Sequence, residues 1–251
     1  MIRWLLILTL TTLAVAQSHP YTTSFSGTEN PLSEGGVWLN GAANGTSWHN
    51  CNKTPGQAFG TQTGSTQFDD SICILTSAWN ATQSASGTVK INAGDASTSE
   101  EVELLLRFSI SAGNAHGYEI NCSVRPGNPY ITIVKWQGAL GSFTTLATET
   151  SVGCVNGTVL SATISGTSPP TITASKDGVV QLTAQDNNAG GTGPWTSGAP
   201  GMGFYMRGSS SAFDANFGYS SYTAASLRPI SIMSPRPGTI RLETVPVAIP
   251  G

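Results

Sequence analysis

Alternation of apolar and polar side chains is the feature of this sequence that most restricts its fold. Segment 101–110 places Val102, Leu104, Leu106, Phe108 and Ile110 on one side, and Glu101, Glu103, Arg107 and Ser109 on the other. A period of two is that of a β-strand, so we expect a strand with one face in the core and a solvated charged face. No later window sustains apolar residues at helical spacing.

Further short strand-like segments follow, separated by turn signals such as Pro126-Gly127 and Asp177-Gly178. The Asp177-Gly178 pair predicts a tight hairpin, because both residue types tolerate the positive φ angles of its turn. Many short antiparallel strands without helices predict an all-β fold, a two-sheet antiparallel jelly-roll sandwich. The chain of 251 residues is long enough for one such domain.

The two ends differ in character from the middle. Residues 1–17 combine Arg3, an apolar run from Trp4 to about Val15, and the small residues Ala14 and Ala16, which predicts a secretory signal peptide. We expect the sandwich domain over residues 18–225 and a Pro-rich tail or linker over 226–251. The predicted protein is secreted, to an extracellular or periplasmic location, without membrane insertion.

Charge and cysteine content restrict partners and compartment. Charged residues make up 10% of the chain and no cluster of Lys or Arg occurs, which argues against nucleic acid or an anionic membrane as partner. Four cysteines in an exported chain predict two disulfides. We predict a Cys51–Cys73 bond that closes a long polar loop, and a Cys122–Cys154 bond that joins strands within the domain.

The order of segments resembles the concanavalin A-like or laminin G-like jelly roll of secreted bacterial proteins. The resemblance covers roughly residues 21–224, from "SFSGTENPLSEGGVWLNG" through "EVELLLRFSISAGNAHGYEINCS" to "FDANFGYSSYTA". It implies two curved antiparallel sheets packed face to face, but no single function, because lectins, carbohydrate-binding modules, glycoside hydrolases, lyases and adhesion domains share this sandwich. Jelly rolls of this kind often hold a structural calcium ion. Candidate ligands are Glu29, Glu34 and Asp214, with loop solvation and turn capping as the alternative; no cofactor is required.

A catalytic interpretation of the central strand depends on its acids. Retaining glycosidases of this fold carry an E-x-D-x-E strand, whereas "EVELL" has Glu101 and Glu103 followed by Leu105. If the protein is an enzyme, we expect Glu101, Glu103, Arg107 and Tyr118 in its cleft, with Arg107 lowering the pKa of a neighbouring carboxylate. The alternative is that these acids are ordinary solvated residues.

Two other catalytic arrangements remain open. Glu119 or Asp186 could share a substrate with the two strand acids. His116 and Tyr118 could serve as the base and proton donor of a polysaccharide lyase, although the sequence echoes the motifs of the alginate-lyase type only loosely.

Binding without catalysis is the function that we predict. Sugar rings stack on aromatic side chains, and the loop "DNNAGGTGPWTSGAPG" carries Trp195 beside Asp186, Asn187 and Asn188, which could hydrogen-bond sugar hydroxyls. The alternative is a connector with Trp195 folded back onto the domain. We therefore predict a lectin-like module for a polysaccharide or surface glycan, with a glycoside hydrolase or polysaccharide lyase, and an adhesion module, as alternatives.

Overall fold

The computed structural model describes residues 20–44, 47–61, 69–93, 99–207 and 211–227. The predicted signal peptide lies outside these ranges, as do residues 228–251 of the predicted tail. The strands in chain order are β1 Tyr21–Thr23, β2 Trp38–Asn40, β3 Cys51–Thr54, β4 Gln57–Gly60, β5 Asp69–Leu75, β6 Thr82–Ile91, β7 Glu100–Ser111, β8 Asn114–Ser123, β9 Ile131–Gly138, β10 Phe143–Glu149, β11 Val159–Ser165, β12 Thr171–Lys176, β13 Val179–Gln185, β14 Ala199–Met206 and β15 Phe217–Leu227. Short 3₁₀ turns occupy Gly41–Asn44, Ala189–Gly191 and Ser211–Asn216. Within the described ranges no helix has the length and apolar character needed to cross a membrane.

The strands form two antiparallel sheets, which confirms the predicted two-sheet sandwich. One sheet has eight strands in the order β13-β12-β11-β6-β15-β4-β3, with β1 paired to β15. The other has seven strands in the order β10-β9-β8-β7-β14-β5-β2. The main core lies between them, where the inner face of β7 (Val102, Leu104 and Leu106) packs with side chains such as Tyr219 and Tyr222 of β15.

Strand β7 is buried on both faces, contrary to the predicted solvated face. Every residue from Glu100 to Phe108 is buried. A second apolar layer covers the outer face of the seven-stranded sheet and includes Trp48, Leu105, Val134 and Trp136. The consecutive leucines 104–106 already carry the signal for this arrangement, because a strand with both faces covered reads as a continuous apolar run.

Both predicted disulfides are confirmed. Cys122 of β8 is bonded to Cys154, which lies in the connection between β10 and β11. Cys51 of β3 is bonded to Cys73 of β5, and these strands belong to different sheets. The Cys51–Cys73 bond, which was predicted to close a polar loop, therefore also links the two sheets covalently. Two disulfides are consistent with an oxidising compartment.

Candidate functional site

The outer face of the seven-stranded sheet carries a groove with a cavity volume of about 350 Å³. This size lies within the range of small-ligand sites, which is about 300–1,000 Å³. Polar side chains of β5, β7, β8 and β14 and apolar side chains around β9 and β10 line this groove: Asp70, Glu101, Glu103, Glu119, Asn121, Val134, Trp136, Leu140, Gly141, Phe143 and Tyr205.

Strand register brings the acids of the groove together. Glu103 lies opposite Asn121 on β8 and opposite Gly203 on β14. Two residues further along β7, Leu105 lies opposite Glu119 of β8. Two residues before Glu103, Glu101 lies opposite Tyr205 of β14, and Tyr205 in turn lies opposite Asp70 of β5. Glu103 and Glu119 are thus diagonal neighbours on paired strands, about 7–8 Å apart, whereas Asp70 reaches the other acids across β14.

A glycine in β14 makes room for the central acid. A Cβ atom placed on Gly203 would collide with Oε2 of Glu103. Gly203 therefore leaves space for the Glu103 carboxyl group on the floor of the groove, and any side chain at position 203 would displace it.

Side chains donate hydrogen bonds to Glu101 and Glu119, whereas, among the described residues, Glu103 and Asp70 each have a carboxyl oxygen without a partner. The Tyr130 hydroxyl donates to Oε1 of Glu101, and Asn121 Nδ2 donates to its Oε2 at 3.0 Å. Trp136 Nε1 donates to Glu119 Oε2 at 2.6 Å. Within the described ranges, Oε2 of Glu103 and Oδ1 of Asp70 have no hydrogen-bond partner, although these residues are only 1% and 6% exposed. Buried polar atoms normally have a partner, so the two unpaired oxygens on these lining residues mark the part of the groove where a ligand donor would be most favourable.

Burial and mutual repulsion raise the pKa values of these carboxyl groups. Burial, and then the charge of Glu101, raises the pKa of Asp70 to about 8. The pKa of Glu103 is raised well above its usual value by burial first and then by Glu119, Asp70 and Glu101. Burial also raises the pKa of Glu119 and of Glu101, against hydrogen bonds that lower it. With a pKa of about 8, the Asp70 carboxyl group can donate as well as accept a hydrogen bond near neutral pH.

Arg107 does not join the acids, contrary to the prediction. Its φ of +48° accompanies a β-bulge between Leu106 and Ser109, which breaks the alternation of β7. The buried guanidinium donates to the carbonyl oxygens of Ala81, Gly166 and Trp195 at 2.6, 2.5 and 3.0 Å. Past the bulge, Phe108 and Ile110 pack with the outer apolar layer rather than with the core between the sheets. Glu103 accordingly has a raised pKa, where the sequence predicted a lowered one.

Tyr118 and Asp186 also lie away from the groove. Tyr118 points into the core between the sheets, and its hydroxyl donates to Asp186 Oδ2 at 2.8 Å. Asp186 is fully buried and forms an ion pair with buried Lys135, with Lys135 Nζ at 2.8 Å from Oδ2. The predicted roles of Tyr118 in catalysis and of Asp186 in sugar binding are therefore replaced by one buried polar network.

The loop that was predicted to bind sugars is held against the domain. Trp195 Nε1 donates to the carbonyl oxygen of Trp136 at 2.9 Å, and the Trp195 ring lies 4.7 Å from that of His116. This geometry matches the alternative in which Trp195 is folded back. Asn187 and Asn188 are exposed, but they do not line the groove, and Trp195 borders a separate depression of about 160 Å³.

The acids that were assigned to calcium bind a lysine instead. Lys53 Nζ lies 3.0 Å from Glu34 Oε1 and 3.4 Å from Glu29 Oε1. Asp214 is part of the 3₁₀ turn Ser211–Asn216 and borders a different small cavity, beside Thr61 and Phe217. Across the described residues, no group of three or more His, Cys, Asp or Glu side chains is arranged to hold a metal ion.

Several groove residues were missed or only partly anticipated. Glu119 was considered as an alternative partner of the strand acids, but Asp70, Asn121 and Tyr205 were not predicted. Alternation in β5 places Asp70 on the same face as Ile72 and Ile74, which was a usable signal. The pairing of β5, β14 and β7, which brings Asp70 to the acids of β7, has no signature in the sequence.

No protein-family model and no curated protein matches this sequence. Solved structures resemble it at low identity. A galectin-like protein of unknown function from Bacillus subtilis has a TM-score of 0.54 and 8% identity, covering 85% of this chain and 100% of that one. The CBM2 module of an evolved Dit protein from Lactobacillus casei BL23 phage J-1 has a TM-score of 0.52 and 10% identity, covering 84% and 97%. The metal-free carbohydrate recognition domain of Emp46p has a TM-score of 0.50 and 9% identity, covering 82% and 95%. The chain therefore has a jelly-roll fold of the concanavalin A-like and galectin-like type.

Proposed function

We propose that this protein binds a carbohydrate in the groove on the outer face of its seven-stranded sheet. The observation that carries the proposal is the combination of aromatic rings on the groove walls with carboxyl and amide groups on its floor. A sugar ring has apolar C–H faces and polar hydroxyl edges, so it requires both kinds of surface. The function is the one that the sequence predicted, but the proposed site moves from loop 186–201 to the groove.

The aromatic wall is preorganised. The rings of Trp48, Trp136 and Phe143 form a chain, with 5.1 Å between the centroids of each successive pair. Trp136 is also held by its hydrogen bond to Glu119. Phe143, at the open end of this chain, lines the groove and is 49% exposed, so a ligand in the groove can contact its ring.

The structural comparisons are compatible with the proposal. Two of the three similar structures are described as a carbohydrate recognition domain and as a CBM2 module. An adhesion module without a small ligand, one of the alternatives from the sequence, would need neither clustered acids nor an exposed aromatic ring in a groove. The proposal itself is supported by the groove, because low-identity similarity carries only the fold.

Phe143→Ala tests the proposal. On an array of neutral, amino and acidic glycans, we expect the wild type to bind and the variant to lose about tenfold in affinity, because a stacked ring contributes about 1–2 kcal/mol. Val179→Ala, which truncates a 62% exposed side chain of the other sheet, is the matched control and should bind as the wild type does. Trp195→Ala should also retain binding; loss with Trp195→Ala but not with Phe143→Ala would return the site to the loop.

Glycoside hydrolysis is the second candidate, because the raised pKa values favour it. A glycosidase needs one carboxyl group that is protonated near neutral pH as general acid and a second carboxylate nearby. Glu103 has the raised pKa and a free oxygen, and Glu101 and Glu119 are its neighbours. A lyase acting on uronates is less well supported, since its substrate would bring negative charge to these acids.

Glu103→Gln distinguishes a hydrolase from a binding module. If the protein hydrolyses glycans, incubation with the glycans that it binds should release reducing ends, and the variant should reduce the rate by at least about 100-fold. Glu149→Gln, in β10 and outside the groove, is the control for loss of one carboxylate. Hydrolysis that persists unchanged in Glu103→Gln would remove Glu103 from the reaction, and absence of hydrolysis in the wild type would leave the binding function alone.

A further inference from the structure

Carboxyl groups line the groove, and no Lys, Arg or His is among its lining residues in the described part of the chain. Five basic side chains of the described ranges have partners away from the groove: Lys53 contacts Glu29 and Glu34, Lys135 contacts Asp186, and Lys90, Lys176 and Arg107 donate to backbone carbonyl oxygens. Glu103 is 1% exposed, lines the groove, and has an Oε2 atom without a hydrogen-bond donor. Asp70, 6% exposed, presents a second such oxygen in Oδ1.

We propose that the ligand of this groove carries an ammonium group, and that it is an amino sugar or an oligosaccharide with free amino groups. This inference rests on the proposed function. An ammonium group has three N–H donors and one positive charge, so it can satisfy Glu103 Oε2 and Asp70 Oδ1 together and relieve the repulsion among the acids. A neutral hydroxyl group supplies one donor and no charge.

The walls of the groove suit the rest of such a ligand. Trp136 and Tyr205 flank the acids from β9 and β14. The partly exposed Tyr205 ring can stack on the apolar face of a sugar, and aromatic π faces attract a nearby cation. A uronate or sulfated sugar would instead place like charges together.

Binding of an ammonium group should release protons. The cation stabilises the ionised form of neighbouring carboxyl groups, so their pKa values fall when the ligand binds. The titratable or charged groups around the central acid are Asp70 of β5, Glu101 of β7, Glu119 of β8, Tyr130 before β9, Tyr205 of β14 and Tyr219 of β15, with Arg207 acting on Tyr205.

Isothermal titration with matched oligosaccharides tests this inference. The ligands are tetramers of β-1,4-linked glucosamine, of its N-acetylated form and of glucose, and the corresponding galactose-based set, all with EDTA present to exclude metal ions. At pH 6.5, we expect a free-amine tetramer to bind at least about tenfold more tightly than its acetylated and neutral counterparts. The binding enthalpy measured in buffers of different ionisation enthalpy gives the number of protons released on binding. We expect up to about one proton for each amino group that contacts the acids.

Variants separate the acids from general charge effects. Glu103→Gln and Asp70→Asn should each reduce the preference for the amine to about threefold or less and reduce proton release, whereas Glu149→Gln should behave as the wild type does. Circular dichroism checks that each variant is folded. Equal or tighter binding of an acetylated or neutral tetramer would overturn the amine inference and leave carbohydrate binding intact. If no tetramer bound, the amine inference would fail, and the glycan array would decide the proposed function separately.

Discussion

At the scale of single residues, burial and neighbouring acids disfavour the ionised form of the carboxyl groups in the groove. Glu103, Glu119 and Asp70 are buried, close to one another, and have raised pKa values. Replacing them by apolar side chains would remove that repulsion and the cost of burying polar groups. Buried acids gathered in a groove are therefore better explained by a ligand than by folding.

Asp70 makes stability depend on pH. Its pKa is about 8 in the folded chain, whereas in an unfolded chain it is about 3.9. Between these values the folded state binds more protons than the unfolded state, so the free energy of unfolding falls as the pH rises, by up to about 1.4 kcal/mol per pH unit. Asp70→Asn should reduce this slope and make the variant more stable than the wild type at pH 8.5. Urea denaturation between pH 4.5 and 8.5 measures both, and a wild type that became more stable over this range would contradict the account.

Glu29 and Glu34 have the opposite effect. Burial alone would raise the pKa of Glu34, but hydrogen bonds from Tyr21, Thr23 and Lys53 outweigh it, and the pKa is lowered. The pKa of Glu29 is lowered in the same way, by backbone N–H groups and Lys53. Stability from this pair is present above their ordinary pKa values and is lost as the pH falls below them. Stability is therefore expected to fall at low pH through Glu29 and Glu34 and at high pH through Asp70.

At the scale of elements, β7 shows what the sequence predicts and where prediction ends. Its strand character, and the inward direction of Val102, Leu104 and Leu106, follow from alternation. The bulge at Arg107 adds a residue and switches the face of everything after it, and the sequence does not mark it, because arginine has no preference for a positive φ. The same residue then binds carbonyl oxygens of three connections, contacts that are distant in sequence.

Strands β8 and β14 show a second reason why the site was only partly predicted. Alternation alone places Glu119 and Asn121 on one face of β8 and Tyr118 on the other, so the choice of Tyr118 as a groove residue was wrong on a local criterion. The role of Gly203 is different, since it depends on β14 lying next to β7. Register between strands that are about 100 residues apart is set by the whole sandwich, not by local pattern.

At the scale of the molecule, the sandwich separates stability from function. The main core lies between the sheets, and Cys51–Cys73 links one sheet to the other. The groove lies on the opposite face of the seven-stranded sheet. Substitutions at its exposed rim, such as Phe143, can therefore test the proposed binding while the core remains intact.

A crystal structure of the protein with a bound oligosaccharide from the array tests the central claim most directly. We expect a sugar ring in the groove, stacked against the wall formed by Trp136 and Phe143, with an amino or hydroxyl group within about 3.2 Å of Oε2 of Glu103. The same crystal also contains the depression beside Trp195 and the outer face of the eight-stranded sheet. An oligosaccharide bound at either of those places, with the groove empty, would contradict the account.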